Sequence, residues 1–483
     1  MGAIRGAHGA SGLLGPAGVF AVLALGALDL GLEQSIVLPA LPVIAVQEQA
    51  TPDAVTWLVT GYLLAQAVAL PLFARLGDLL GRRRLVVASL AAFLVGSLIC
   101  ALAGSLAALI AGRVVQGMGA AVAVLGIGII RDHVAPRAVP VAVGVLIAGA
   151  GAGYAIGLVA GGVLVDQASV AAIFWFLFGV ASALLLAVVA LVPRSGTRAR
   201  GPVDWLGAGV LAGGGATLLL GISKGNDWGW SSARTVGLLS LGVGLLVAFC
   251  VLELRIAHPL VDVRLMAGRS LASANLAALA IGFGLFAGVV IPQLASLPPA
   301  TGYGLGLTAA ETGLLLLPGA LAILVFGALG GRLAPVLGAR AVVGVGAACG
   351  TLAYAALALW HDGVAEVAAA NGLLGAGIGL SVAGIATLVV TSVEPSATSG
   401  SVGMNALIRT IGAALGAQMA AAIVTAAGLV QGLAPDESGF TDAFVLGAAA
   451  SGAAVLAAML LPSRRENAEV APRQRDPLDT HGT

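Results

Sequence analysis

The chain has 483 residues, of which 59% are hydrophobic and 9% charged, with a formal net charge of +1 and a mean hydropathy of +1.06. Soluble domains carry about 25% charged residues, so this balance excludes a soluble globule and points to an integral membrane protein of many helical spans. The 71 glycines suit helices that pack closely in lipid.

The first apolar run begins near Pro16 and is long enough to cross the ~30 Å hydrocarbon core. It is too long for a signal-peptide core and reads as an uncleaved first span. Asp29 and Glu33 stand near its middle, four residues apart, and so share one helical face. An intramembrane carboxylate costs at least ~2.5–3.5 kcal/mol on insertion scales and faces a bundle interior or a wet cavity. Two of them on one face point to a path for protons, ions or a cationic solute, against the alternative of a polar pair buried only for packing.

Fourteen spanning segments follow, centred near residues 27, 64, 93, 118, 150, 181, 212, 244, 281, 319, 350, 377, 415 and 451. Of the 23 basic residues, 19 arginines fall on one side of this arrangement and only Lys224 and Arg234 on the other. Arg113 and Arg409 lie within spans. The positive-inside rule then puts both termini in the cytoplasm. Lys224 is the only lysine, and the abundance of Ala, Gly and Val suggests a GC-rich bacterial source and thus a bacterial inner (plasma) membrane.

An internal repeat follows the second span. Arg75, Leu76, Gly81 and Arg83 recur as Arg332, Leu333, Gly338 and Arg340, each 257 residues later. Spans 1–6 and 9–14 therefore read as two parallel copies with spans 7 and 8 inserted, a transporter design with a site near the midplane. The expected domains are residues 1–193, a six-helix bundle; 194–269, a linker with two extra spans; 270–462, a second six-helix bundle; and 463–483, a disordered tail.

These stretches together resemble the major facilitator superfamily, in its fourteen-span drug:proton antiporter branch. The resemblance is carried by Leu32–Pro42 in span 1, where the branch commonly has Asp at the place of Glu33, and by Trp57–Leu64 in span 2. The Gly77–Arg84 loop, Arg113–Ala120 in span 4 and the span-5 glycines Gly144, Gly153, Gly157, Gly161 and Gly162 continue it, with Leu158 where that glycine motif has proline. Asp204–Gly207, His258–Asp262 and Asn405 with Arg409, Gly412 and Gly416 complete it.

The resemblance implies an all-α polytopic fold of 14 transmembrane helices, two pseudo-symmetric six-helix bundles plus two inserted helices. It implies proton-coupled efflux of a lipophilic drug, antibiotic or natural product by alternating access. A facilitator or proton symporter for a small metabolite is the competing reading, and a non-transporting membrane sensor or lipid-handling protein a remoter one. Glu33 is the expected principal proton carrier, Asp29 a second, and Arg113 their electrostatic partner. Gly77, Asp78, Gly81, Arg82 and Arg83 would form a charge latch at the cytoplasmic surface, where the plainer reading is arginines that set topology. The second copy has Pro335 at the acid position and so half a latch. Gln34, Gln66, Gln116, Asn275, Gln293, Asn405 and Arg409 are candidate cavity-lining residues, with interhelical hydrogen bonding as the competing role. Asn371 and Gln418 read the same way, and Glu311 reads as a helix-start acid.

Other signals fail. Gly221-Ile222-Ser223-Lys224-Gly225 matches a hydrolase pattern without its strand-turn-helix setting. The lone lysine lies outside any phosphate-cradling loop. His8, His133, His258, His361 and His481 form no sequence-local metal site. Cys100, Cys250 and Cys349 read as buried small hydrophobes. No enzyme activity, no cofactor beyond the proton gradient, no metal and no nucleic-acid partner is expected. The expected partners are a small-molecule substrate, the proton and the bilayer, for a protein working as a monomer.

Overall fold

The computed structural model describes residues 16–122, 125–126, 129, 139–192, 202–256, 259–261, 263–266, 268–392, 398–430 and 434–461. The 463–483 tail and residues 194–201 of the linker lie outside the described residues, as do His258 and Asp262.

Among the described residues fourteen helices of 12 residues or more organise the chain: α1 (Pro16–Ser35), α2 (Pro52–Leu80), α3 (Arg82–Ala101), α4 (Leu106–Gly117), α5 (Val139–Gln167), α6 (Val170–Leu191), α7 (Trp205–Ser223), α8 (Ala233–Glu253), α9 (Arg269–Phe283), α10 (Ala309–Leu337), α11 (Ala339–Leu359), α12 (Val364–Ser392), α13 (Thr398–Ala426) and α14 (Glu437–Met459). A 3-10 turn followed by a short helix extends α1 to Gln47, through Leu41–Gln47, and α9 to Ser296, through Ala287–Ser296, as continuous apolar spans. Among the described residues thirteen segments are long and apolar enough to cross a membrane, and α4 stands in the fourth place as a shorter apolar helix, Leu106–Ala120. The all-α expectation is modified at one point, a two-residue antiparallel ladder pairing Leu429 with Pro435 and Val430 with Ala434.

The repeat seen in sequence is a repeat in space. Helix α1 packs on α5 as α9 packs on α13, α2 on α4 as α10 on α12, and α3 on α6 as α11 on α14. The corner that joins α2 to α3 is Gly81, at φ +102°, and its counterpart is Gly338, at φ +90°. Each amide closes the preceding helix, Gly81 N–H donating to Gly77 O at 2.9 Å and Gly338 N–H to Ala334 O at 3.0 Å. Positive φ at both corners calls for glycine.

The halves meet along two seams, α2 against α13 and α5 against α10, which the repeat exchanges with each other. One apolar cluster, which includes Ile36, Leu158, Ile291, Leu316 and Ala420, runs across both halves at the face remote from the arginine corners. Toward the arginine-bearing face the core comprises one cluster within the first half, around Phe73, Val86 and Val188, another within the second, around Ala274, Val343 and Val389, and a smaller one that joins the halves through α7 and α8, from Ala67 and Leu211 to Met404 and Leu407. Helices α7 and α8 pack as a hairpin, and α7 leans on both α2 and α13, covering that seam alone. Asp204 caps α7, accepting from Gly207 N–H at 2.8 Å, and Glu253 at the end of α8 accepts from Val261 N–H at 2.9 Å. Cys100 is buried, Cys349 half-buried and Cys250 exposed. The exposure of Cys250 overturns the expectation of three buried thiols, because α8 is peripheral and leaves residues such as Val243, Val247 and Val251 uncovered.

Candidate functional site

Helices α1, α2 and α4 enclose a polar cluster inside the first half. Glu33 is 3% exposed, Asp29 4% and Arg113 1%. None of the three faces the lipid side. Small residues make room for them: a side chain at Gly112 would strike α3 at Cys100, and one at Gly117 would strike α2 at Ala65.

Tyr62 of α2 organises the cluster. Its hydroxyl donates to Glu33 Oε1 at 2.9 Å, and the Arg113 guanidinium lies 4.3 Å above its ring. That stacking is a cation–π contact in a dry setting, where such contacts are strongest. Arg113 donates from Nε to Leu58 O at 3.1 Å and from Nη1 to Gln116 Oε1 at 2.9 Å and Glu33 O at 3.4 Å. The arginine thus meets the backbone carbonyl of Glu33, and Tyr62 bridges it to the carboxylate. Gln116 in turn donates to Ser97 Oγ at 2.7 Å. Asp29 Oδ1 is buried without a hydrogen-bond partner.

The glycines of α5 hold α1 in place. A Cβ at Gly153 would run into the Leu28 carbonyl, at Gly157 into Ser35 Oγ and at Gly161 into the Ile36 carbonyl, so three turns of α5 lie backbone to backbone on α1. Ser35 Oγ adds a hydrogen bond to Tyr154 O at 2.7 Å. Gly162 points the other way, onto Ala309 of α10. Gly412 and Gly416 repeat this arrangement against Leu279 and Phe283 in the second half. There, Ala280 and Gly284 occupy the places of Asp29 and Glu33, so the buried acids belong to one half only. Leu158 is buried in the shared cluster, and α5 runs through it as continuous helix. Gly144 lies on α5 but outside the residues whose surroundings are described.

At the proposed latch, a side chain at Gly77 would collide with Leu125, and Gly81 makes the corner. Arg83 Nη2 donates to Val189 O at 2.5 Å, tying α3 to the end of α6 within the same half. Arg82 is half-buried. The side chain of Asp78 lies outside the described residues. Pro335 sits in the last turn of α10.

Of the residues expected to line a cavity, Gln34, Gln293, Asn405 and Arg409 keep partial accessibility, whereas Gln66, Gln116 and Asn275 are buried. Interhelical bonding accounts for part of this. Gln116 belongs to the arginine cluster, and Asn275 Oδ1 accepts from Asn405 Nδ2 at 3.0 Å, joining α9 to α13. Asn371 donates to Leu316 O at 3.0 Å, joining α12 to α10. Both side-chain polar atoms of Gln293 are buried without partners.

The far face is closed by polar contacts that cross between halves. Asp166 at the end of α5 accepts from the N–H groups of Ala309 at 3.2 Å and Ala310 at 2.7 Å. Thr308 and Glu311 complete a reciprocal cap at the same helix start, as the sequence position of Glu311 predicts. On the other seam, the backbone carbonyl of Asp53 accepts from Gln418 Nε2 at 3.3 Å, and Gln418 Oε1 accepts from Thr60 Oγ1 at 3.2 Å. Ser223, at the end of α7, donates to Asp53 Oδ2 at 3.1 Å and accepts from Trp57 Nε1 at 3.1 Å. Gln418 is therefore a seam residue with no exposure at all. Tyr62, Asp53 and Asp166 escape a reading of spacing alone. Tyr62 has a signal, being the hydroxyl-bearing aromatic of the Trp57–Leu64 stretch, but the two aspartates resemble ordinary loop-end acids.

Two repeat-related helical bundles, joined along two seams and enclosing buried charge in the first, define the class: a multi-pass membrane transporter. The profile of the Major Facilitator Superfamily matches residues 23–417, and the chain belongs to that superfamily. It is 32% identical over 437 residues to the cephamycin export protein CmcT of Amycolatopsis lactamdurans, covering 86% of each chain. It is 33% identical over 310 residues to an MFS-type transporter of Mycobacterium tuberculosis, covering 64% of this chain and 44% of that one, so it spans less than half of that longer relative. The crystal structure of the human organic anion transporter MFSD10 superposes with a TM-score of 0.61 at 17% identity, over 92% of this chain and 99% of that one.

Proposed function

We propose that the protein is a proton-coupled exporter that moves a lipophilic drug, antibiotic or natural product out of the cytoplasm by alternating access. The observation that carries this reading is the buried cluster of two acids and one arginine on α1 and α4. With both carboxyls ionised the cluster holds one uncompensated negative charge in a setting where such charge is costly. Uptake of one proton brings it to neutrality. A site that is neutral when protonated and negative when not can exchange a proton for a cationic or polarisable solute. Glu33, held by Tyr62, is the principal carrier in this scheme, Asp29 the second, and Arg113 sets the charge balance.

The large shared core at the far face, against the smaller bridge made with α7 and α8 toward the arginines, suits a carrier closed to the outside and parting toward the cytoplasm, with the termini cytoplasmic. Arg409, partly accessible in the first half of α13, and Gln34, beside Glu33, are the residues we place along the substrate path. The gene product of Amycolatopsis is named for cephamycin export, which supports efflux of a natural product as the direction and class.

The test is ethidium accumulation by everted membrane vesicles under an imposed proton gradient. Wild type accumulates dye and dissipates the gradient, and Glu33→Gln does neither while still inserting at normal levels. Undiminished gradient-driven uptake by Glu33→Gln removes Glu33 from the scheme. Downhill flux indifferent to the gradient makes the protein a facilitator instead.

A further inference from the structure

The far face carries a three-residue cluster that the exchange chemistry does not use. His361 lies just past α11, Asp362 follows it, and Glu437 begins α14. Their candidate ligand atoms all fall within 4.8 Å of one another. The sequence hides the grouping, because Glu437 comes from the next helix but two in chain order.

The state of the histidine makes the cluster more than a surface patch. His361 is 3% exposed, with its ring against Phe444 at 5.8 Å between centroids. Its Nδ1 lies 2.7 Å from Leu357 O, a carbonyl that only an N–H can approach so closely, so Nδ1 carries the proton. Nε2, the nitrogen left to bind, is buried without a hydrogen-bond partner. It faces Glu437 Oε1 at 3.4 Å. That separation is longer than a good N–H···O bond, at ~2.7–3.2 Å. It matches the ~3.3 Å edge between two ligands of a tetrahedral ion held at ~2.0–2.1 Å. A backbone carbonyl fixing the tautomer of the opposite nitrogen is also what metal-binding histidines show. Asp436 is not a fourth ligand, since its carboxylate caps α14 by accepting from Ser438 N–H at 2.9 Å.

We infer that His361 Nε2, Glu437 and Asp362 form a divalent-cation site on the far face, selective for an imidazole-preferring ion of the zinc class over magnesium or calcium. One nitrogen and two carboxylate oxygens leave a fourth position for water. The ion bridges Nε2 and Oε1 and staples the α11–α12 turn to the start of α14. Both elements belong to the second half, so the ion braces that half and leaves the proton cluster untouched.

The full chain is purified with an affinity tag that contains no histidine, stripped with EDTA, and titrated with Zn²⁺ by calorimetry in detergent. Binding of one Zn²⁺ per chain is expected, with a raised melting temperature and no comparable response to Mg²⁺ or Ca²⁺. His361→Gln and Glu437→Gln each weaken binding about tenfold or more, and Asp227→Asn, remote on the same face, changes nothing. Glu437 is exposed, so its variant keeps the test valid if the histidine variant misfolds. Absence of stoichiometric Zn²⁺ uptake, or uptake indifferent to both substitutions, overturns the proposal. So does a melting temperature that falls equally in both variants with and without zinc, which would show a protonated histidine paired to Glu437.

Discussion

Removing the Asp166 carboxylate tests whether the far face is held shut by capping across the α5/α10 seam. Asp166 satisfies the first two free N–H groups of α10, at Ala309 and Ala310, while Thr308 serves the third, at Glu311. Loss of a capping carboxylate costs about 1 kcal/mol, within a range of ~0.5–2. Asp166 is exposed, so the higher values seen for buried charge-assisted bonds do not apply. These bonds form between halves and exist only while the seam is closed, so nearly the whole loss falls on one state. At about 1.4 kcal/mol per factor of ten, Asp166→Ala shifts the closed-to-open ratio about fivefold. The assay uses Leu158→Cys in a background lacking the three native cysteines, since Leu158 is 1% exposed and backs onto α10 at Gly313. Its modification by a membrane-impermeant maleimide added to whole cells should run about fivefold faster with Asp166→Ala, and Asp166→Asn should fall between. An unchanged or slower rate would show that the cap does not discriminate between states, and the seam argument would fail.

Tyr62→Phe keeps the ring beneath Arg113 but strips the donor from Glu33, leaving a buried acceptor unpaired at a cost of about 1–3 kcal/mol. A lower melting temperature and slower proton-linked dye uptake are expected in the same vesicles, and wild-type values in both would make the hydroxyl a bystander. Gly153→Val drives a side chain into the Leu28 carbonyl. Overpacking of this kind costs about 1–3 kcal/mol, so the yield of monodisperse protein on size-exclusion chromatography should fall. Gly179→Val is the control, because nothing lies within 4 Å of a Cβ placed there.

The features legible in the sequence are those that repeat or that cost energy to hide. The two-copy architecture shows in Gly81 and Gly338, because a corner at positive φ tolerates little but glycine and both copies need it. The buried acids show because charge within an apolar run is rarely idle. The packing role of Gly153, Gly157 and Gly161 follows from their spacing of four, which puts them on one face. What stayed hidden is what depends on which distant helices meet. Asp53, Asp166 and Gln418 matter through partners on the other half, and no spacing within α2, α5 or α13 reveals those partners. Gln116 and Asn275 are polar residues within spans that became interhelical fasteners, an outcome chosen by their neighbours. Cys250 is exposed because α8 lies at the rim, which hydropathy alone does not distinguish from a central helix.

The contact between α1 and α5 leaves almost nothing between two peptide chains, and the same holds for α9 on α13. Surfaces joined through side chains can slide by exchanging rotamers, but bare backbones meeting over several turns have no such slack. Each bundle should therefore turn as a solid block, with its interior geometry preserved throughout the cycle. Any hinge must then reside where the blocks touch, in the short stretch of polar stitching that a handful of substitutions can loosen.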